Sequence, residues 1–477
     1  MVNPMVWPLL AFLVLSLAVG IYTARFVHKS GERFLVCGKS MPFIVIGTTL
    51  VAQALDGNAT LGNSGLTYAN GFWSGMALSL GLGFSLFFVG RFLAGPLNQM
   101  DLITLPEYFY VRYGKITELV TSLVTFVSFS ILLAGNLAAL GWIMAVASGW
   151  SYTQALILGA AIVFTYTVAG GLYAAIWTDF VQIYVAIGGF LALAIWLYMT
   201  QDVSAAFAAI PPAHLNFDGL TSLASGGLVN WSVILSLTFG NAMALDFMER
   251  VFTAKSPAVA KRACYYAGTL TIITGLAAAF AGLMAHSLVG DVPDARMVLP
   301  TLASTKVPFW IGALTMIGVV GASMSTCCGV IIATSAVISR NIIQRWSNRI
   351  MDDEQLLRLT RIAALPMTAG GALFAWIRPE PGILLALAFD IVFAGCVLPL
   401  VAGLYWKKAN ATGAMASILV GTGSRVACYY LVPEALAGLD TLLPPVIGTI
   451  AFLVGCNLAT SGAPVMVEGG VQQQPVA

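Results

Sequence analysis

Gln53-Ala54-Leu55-Asp56-Gly57-Asn58 stands inside a stretch, residues 41–69, that is otherwise apolar enough to cross a bilayer. A Gly and an Asn beside a charge propagate a helix poorly. Gly62, Asn63, Ser64 and Gly65 weaken the same helix again. The stretch therefore reads as a membrane helix broken near its middle, and non-helical backbone at that depth is tolerated only where it lines a cavity. Freed carbonyls there can coordinate a cation, and freed amides can meet a substrate. The competing local reading makes Asp56 a buried carboxylate satisfied by neighbouring amides.

The rest of the chain agrees with a membrane setting. Of 477 residues, 59% are hydrophobic and 9% are charged, against roughly a quarter charged in soluble proteins. That composition excludes an ordinary soluble domain and a disordered chain, and predicts an all-α integral membrane protein. A net charge of +2 and the lack of basic runs argue against nucleic acid as a partner. The seven cysteines read as reduced packing thiols. Residues 5–27 are long enough to span and are followed by Arg25, Lys29 and Arg33, so they read as a retained first helix.

Apolar stretches bounded by charge or by Gly/Pro clusters predict about 13 transmembrane helices: 5–27, 41–69, 72–96, 117–148, 152–170, 173–199, 229–252, 262–289, 305–338, 359–377, 382–405, 411–432 and 441–461. They form one transmembrane domain over residues 1–463, and residues 464–477 have the composition of a disordered tail. Cytoplasmic loops are enriched in Lys and Arg. With the N-terminus outside, the inside loops collect Arg25, Lys29, Arg33, Lys39, Arg91, Arg112, Lys115, Arg250, Lys255, Lys261, Arg262, Arg340, Arg345, Arg349, Arg358, Arg361, Lys407 and Lys408. Outside lie Arg296, Lys306 and Arg378, while Arg425 falls within a span. One missed or invented helix would mix these sets. The sequence thus predicts a multi-pass protein of the cell membrane, the inner membrane in a bacterium, with its N-terminus out and C-terminus cytoplasmic.

Ionisable groups within spans cost at least a few kcal/mol each and are functional candidates by default. Asp56, Asp179, Asp246, Asp390 and Arg425 qualify. A second interruption, Phe239-Gly240-Asn241, lies in the seventh span, five helices after the first. Two broken helices at that interval are what a five-plus-five inverted repeat produces, with the first repeat at about 41–199 and the second at about 229–405. The spans 5–27, 411–432 and 441–461 are then peripheral. Asp246 has Arg250 one helical turn on, so an ion pair competes with a substrate role. Asp390 has no cation at helical spacing. In the ninth span Ala322, Ser325 and Thr326 share one face, offering a carbonyl and two hydroxyls to a hard monovalent cation. The bland alternative is hydroxyls bonded to the carbonyl four residues back.

Four stretches resemble the sodium:solute symporter family: Phe34-Leu35-Val36-Cys37-Gly38-Lys39-Ser40, Thr104-Leu105-Pro106-Glu107-Tyr108-Phe109 through Arg112-Tyr113-Gly114, Gly170-Gly171-Leu172-Tyr173-Ala174-Ala175-Ile176-Trp177-Thr178-Asp179-Phe180-Val181-Gln182, and Arg250-Val251-Phe252-Thr253-Ala254-Lys255-Ser256. The resemblance implies a LeuT-like core that couples sodium entry to solute uptake. It makes the carbonyls of Ala54 and Gly57, with Ala322, Ser325 and Thr326, the sodium shell. It also puts Asp56 near the ion path and Asp179 at its cytoplasmic exit; Asp179 also reads locally as a charge at a helix N-terminus, and the two readings are compatible. Met243-Ala244 stands where the family usually has Gly-Gln, so no member's substrate carries over.

The expected activity is sodium-coupled import of a small polar organic solute by alternating access, by a protein working as a monomer in the lipid bilayer with sodium as the co-transported ion. Gln53, Asn58, Asn136, Phe239 and Asn241 are candidate solute contacts, chosen for polarity or aromaticity at midspan. A proton-coupled symporter using Asp56 or Asp179, and a membrane-embedded solute sensor, are the alternatives. An enzyme is not expected, because His28, His214 and His286 are scattered without metal-ligand spacing or a nucleophile elbow.

Overall fold

The computed structural model describes residues 4–26, 34–35, 37–208, 210–290, 292, 294–347 and 351–458. The tail expected at 464–477 lies outside the described residues, as do His28, Lys29, Arg33, Val36 and Arg349. The described residues are helical, with no strand among them beyond an isolated bridge between Met41 and Ala254. Seven of their helices are long and apolar enough to cross a bilayer alone, or nine when two bent pairs each make one span.

The chain runs through α1 (Val6–Thr23), α2 (Phe43–Ala54), α3 (Gly57–Asn70), α4 (Phe72–Phe88), α5 (Leu105–Tyr113), α6 (Lys115–Ser148) and α7 (Tyr152–Thr200). It continues through α8 (Gly227–Gly240), α9 (Leu245–Thr253), α10 (Pro257–Leu288), α11 (Val298–Thr305), α12 (Phe309–Ala336), α13 (Asp353–Ile377), α14 (Pro381–Gly395), α15 (Val397–Tyr405), α16 (Ala411–Leu431) and α17 (Leu439–Leu458). At 1.5 Å per residue, α2 spans about 18 Å, little more than half of a hydrocarbon core about 30 Å thick. It reaches across only together with α3, as the broken-helix reading requires.

α7 has the opposite problem. Its 49 residues would measure about 70 Å if straight. Gly171 divides it, at φ 56° and ψ −145°, a conformation that excludes side chains with a Cβ. The Phe34 ring fills the place such a Cβ would take, 2.4 Å away.

α8 and α9 meet at a 50° bend, α14 and α15 at 47°. The second bend falls in what the sequence shows as one span, 382–405. Its cause is Pro399, which has no N–H to return to the carbonyl of Gly395. That carbonyl is taken instead by the Ser417 hydroxyl of α16 at 3.0 Å. Carbonyls along α15 are met by α5: Tyr108 Oη donates to Leu400 at 3.1 Å, Tyr113 Oη to Pro399 at 2.7 Å, and Arg112 Nε to Gly403 at 2.9 Å. The Thr104–Gly114 motif is thus a clamp on a bent helix.

α12 lies at the centre of the bundle, packed along α7 and against α6, α2, α3 and α9. α14 packs on α6, α8, α3 and α16. Asp390, unpaired in the sequence reading, binds Arg425 of α16 at 3.0 Å and Thr441 of α17 at 3.1 Å, and Arg425 also reaches Asp440 at 3.1 Å. The partner was invisible to helical spacing because it sits on another helix. Removing one member of a buried pair strands the other at a cost of about 3–5 kcal/mol. Arg425→Met should therefore lower the thermal midpoint of the purified protein by several degrees, and Arg425→Met with Asp390→Asn by clearly less, both measurable by scanning fluorimetry.

Candidate functional site

Two chain breaks and one helix face build the site. α2 stops at Ala54 and α3 starts at Gly57, so the last carbonyls of α2 lack their i+4 amides. Asp56 is the N-cap of α3. Its Oδ1 accepts from the Ala59 amide at 2.7 Å, and its Oδ2 accepts from Asn136 Nδ2 at 2.6 Å and Asn58 Nδ2 at 3.5 Å. The local reading of Asp56, a carboxylate held by amides, is therefore present in the structure. It does not compete with a place beside the break, because the cap itself holds the carboxylate there.

α12 supplies the other wall. Thr326 Oγ1 points at the carbonyl of Gln53 at 3.4 Å rather than at its own helix. A Cβ on Gly57 would come within 1.9 Å of Ser323 Oγ and 2.8 Å of Ala139 Cβ. The first break and the face carrying Ala322, Ser325 and Thr326 are thus in direct apposition. Ala54, Ala322, Ser325 and Thr326 are each at most 1% exposed, and Gly57 is likewise buried. Carbonyls at a helix break and hydroxyls on a facing helix are the neutral oxygen type that a hard cation of low charge accepts.

On one flank of that set lies a buried ionic cluster. Gln53 takes the Ser325 hydroxyl at 2.7 Å and Arg250 Nη2 at 3.0 Å on its amide oxygen, and donates to Asp246 Oδ2 at 3.0 Å, the orientation in which each end faces its complement. Arg250 is fully buried. Its Nη1 donates to the Asp246 carbonyl at 3.1 Å, and its other contacts are Glu249 at 3.6 Å and Asp179 at 3.8 Å. The expected one-turn ion pair between Asp246 and Arg250 is thereby corrected. The guanidinium meets the backbone of Asp246, while its charge faces two other acids.

Asp179 is also corrected as a helix-terminus charge. It lies eight residues past the break at Gly171, beyond the first turn where the helix dipole acts. It faces α9 instead.

The candidate solute contacts are placed unevenly. Asn58 and Asn136 converge on Asp56, and both also donate to the Leu132 carbonyl, at 3.2 and 3.3 Å. Asn241 follows α8 and donates to Ser85 of α4 at 2.8 Å. Phe239 is half-buried, with ring centroids 5.3 Å from Phe88 and 6.0 Å from Phe393. Gln53 belongs to the ionic cluster. Glu249, 2% exposed, escaped the sequence reading because it adjoins Arg250 in a segment that reads as the cytoplasmic end of a span. The signal for it was one more acid in a nine-residue helix that already carries Asp246 and Arg250.

The family model for the sodium:solute symporter family matches residues 34–421. The chain belongs to the sodium:solute symporter family. It is 24% identical to the sodium/glucose cotransporter of Vibrio parahaemolyticus, covering 94% of this chain and 89% of that protein. It is 25% identical to the sodium/proline symporter of Haemophilus influenzae, covering 87% and 86%. A Na+-coupled sialic acid symporter in a substrate-bound outward-open state superposes with a TM-score of 0.79 at 19% identity, covering 97% of this chain and 98% of that one. The fold is that of transporters with a five-plus-five inverted-repeat core. The chain is a multi-pass membrane transporter that couples sodium to solute movement, and not an enzyme.

Gly57 is the position where these contacts leave no room. Gly57→Ala should abolish sodium-dependent stabilisation of the purified protein while leaving membrane insertion intact, read by scanning fluorimetry in NaCl against KCl.

Proposed function

We propose that the chain imports a small polar organic solute by alternating access, with one sodium ion held by the carbonyls of Ala54, Gly57 and Ala322 and the hydroxyls of Ser325 and Thr326. The observation that carries this reading is Thr326 Oγ1 aimed across the bundle at the Gln53 carbonyl, which puts a hydroxyl of α12 and the open end of α2 at one point. Asp56 and Asp179 flank the ion, and the solute sits between the two breaks, next to Asn58 and Asn136.

Thirteen spans, an outside N-terminus and a cytoplasmic C-terminus complete the proposal, supported by the partition of the cations. On that orientation the ties between Met41 and both Thr253 and Lys255 (each 3.1 Å), and between Asn98 and the Val251 and Ala254 carbonyls (2.8 and 2.9 Å), close the cytoplasmic side. The Met41 ties join the start of α2, and the Asn98 ties the segment after α4, to the end of α9, and both must part for release inward.

Sodium binding organises the break and so favours solute binding, and the solute must favour sodium by the same factor. One sodium charge crossing 100 mV supplies about 2.3 kcal/mol, roughly a fifty-fold accumulation before any chemical gradient is added. In proteoliposomes, solute uptake should require an inward sodium gradient, rise with an inside-negative potential, and vanish when KCl replaces NaCl. Uptake that follows a pH gradient and ignores sodium would establish the proton-coupled alternative instead.

A further inference from the structure

A hydroxyl binds a cation through its lone pairs, so its hydrogen must be taken by some other acceptor. Both hydroxyls of the ion site, Ser325 and Thr326, meet the same residue, Gln53. Thr326 Oγ1 donates to the Gln53 backbone carbonyl at 3.4 Å. Ser325 Oγ lies 2.7 Å from one end of the Gln53 side-chain amide. Which end it meets decides where the Ser325 hydrogen points.

Arg250 decides the end. A guanidinium donates and cannot accept, and Arg250 Nη2 stands 3.0 Å from the same end of the amide. That end is therefore the oxygen, which has no hydrogen to offer, and the Ser325 hydroxyl must donate to it. The amide nitrogen faces Asp246 Oδ2 at 3.0 Å, an oxygen that can accept whether or not the acid carries a proton on Oδ1. With the amide reversed, its nitrogen would occupy a lone pair of Ser325 and leave the hydroxyl hydrogen free to face the ion.

Room for this contact comes from Gly329, one turn after Ser325 on α12. A Cβ there would stand 2.7 Å from the Gln53 amide and 2.9 Å from the Arg250 guanidinium. Gln53, Ser325, Gly329 and Arg250 are all buried, so bulk water does not compete for these hydrogens. Asp179 is a rival acceptor close to Ser325, but neither of its oxygens has a hydrogen-bond partner, and the hydroxyl is held by Gln53.

We propose that Gln53 is a positioning residue for sodium rather than a solute contact: locked by Arg250, its amide oxygen takes the Ser325 hydrogen and presents the lone pairs of that hydroxyl to the ion. The proposal rests on the ion site of the symporter reading. Groups that orient the ligands of a metal change its affinity by about 10–100-fold when removed.

The test is equilibrium 22Na+ binding to the purified full-length protein, run as a double-mutant cycle. Gln53→Leu and Ser325→Ala should each weaken sodium binding about tenfold or more. In the Ser325→Ala background Gln53→Leu should add little, because the hydroxyl it orients is gone. Gln53→Glu combined with Asp246→Asn leaves the net charge unchanged, keeps an oxygen toward Ser325 and Arg250, and should restore binding close to the wild-type level. Gly329→Ala crowds the same amide and should repeat the Gln53→Leu pattern; it takes the place of Gln53→Leu if the thermal midpoint in KCl shows that variant unfolded. Undiminished binding in Gln53→Leu, an equal loss with and without the Ser325 hydroxyl, or no recovery in the exchanged pair would overturn the proposal. Wild-type binding by Ser325→Ala would instead count against the ion site itself.

Discussion

A helix broken inside a bilayer has nowhere to send its free carbonyls and amides except to other parts of the same protein. The gap between Ala54 and Gly57 is such a place, and the structure is arranged to answer it. Asp56 caps the new helix start, Asn136 holds Asp56, and Thr326 reaches the carbonyl that α2 leaves open. α12 is pressed against the break by glycine, with no room for a methyl group between Gly57 and Ser323. We read the remaining oxygens, neutral and buried, as the seat of the cation.

The same constraint recurs at the other bends with other solutions. At Pro399 the carbonyls are met by hydroxyls and a guanidinium from α5 and α16, which makes a fixed joint. At the bend between α8 and α9 no comparable clamp reaches the Asn241 oxygen. Fully satisfied polar networks are rigid, and partly satisfied ones are the natural seats of ligands and motion.

The first break was legible in the sequence because a charge, a Gly and an Asn in succession oppose a continuous helix in the middle of an apolar run. The face of Ala322, Ser325 and Thr326 was legible as a geometric pattern, though its purpose came from the family resemblance. Interactions between distant residues were not legible. Asp390 looked unpaired because Arg425 lies 35 residues away on another helix, and the pair of Asp246 with Arg250 looked sufficient because Asp179, Glu249 and Gln53 could not be placed beside it. Periodicity reports which face a residue is on, and only the packing of the bundle says which face it meets. Pro399 was a readable signal for the third bend that the apolar run around it concealed.

Direct binding of 22Na+ to the purified protein tests most simply whether the first break and α12 form the ion site. Saturable binding by the wild-type protein, weakened about tenfold or more in Thr326→Ala, is the predicted result. Equal binding by the two proteins, with Thr326→Ala folded, would contradict it.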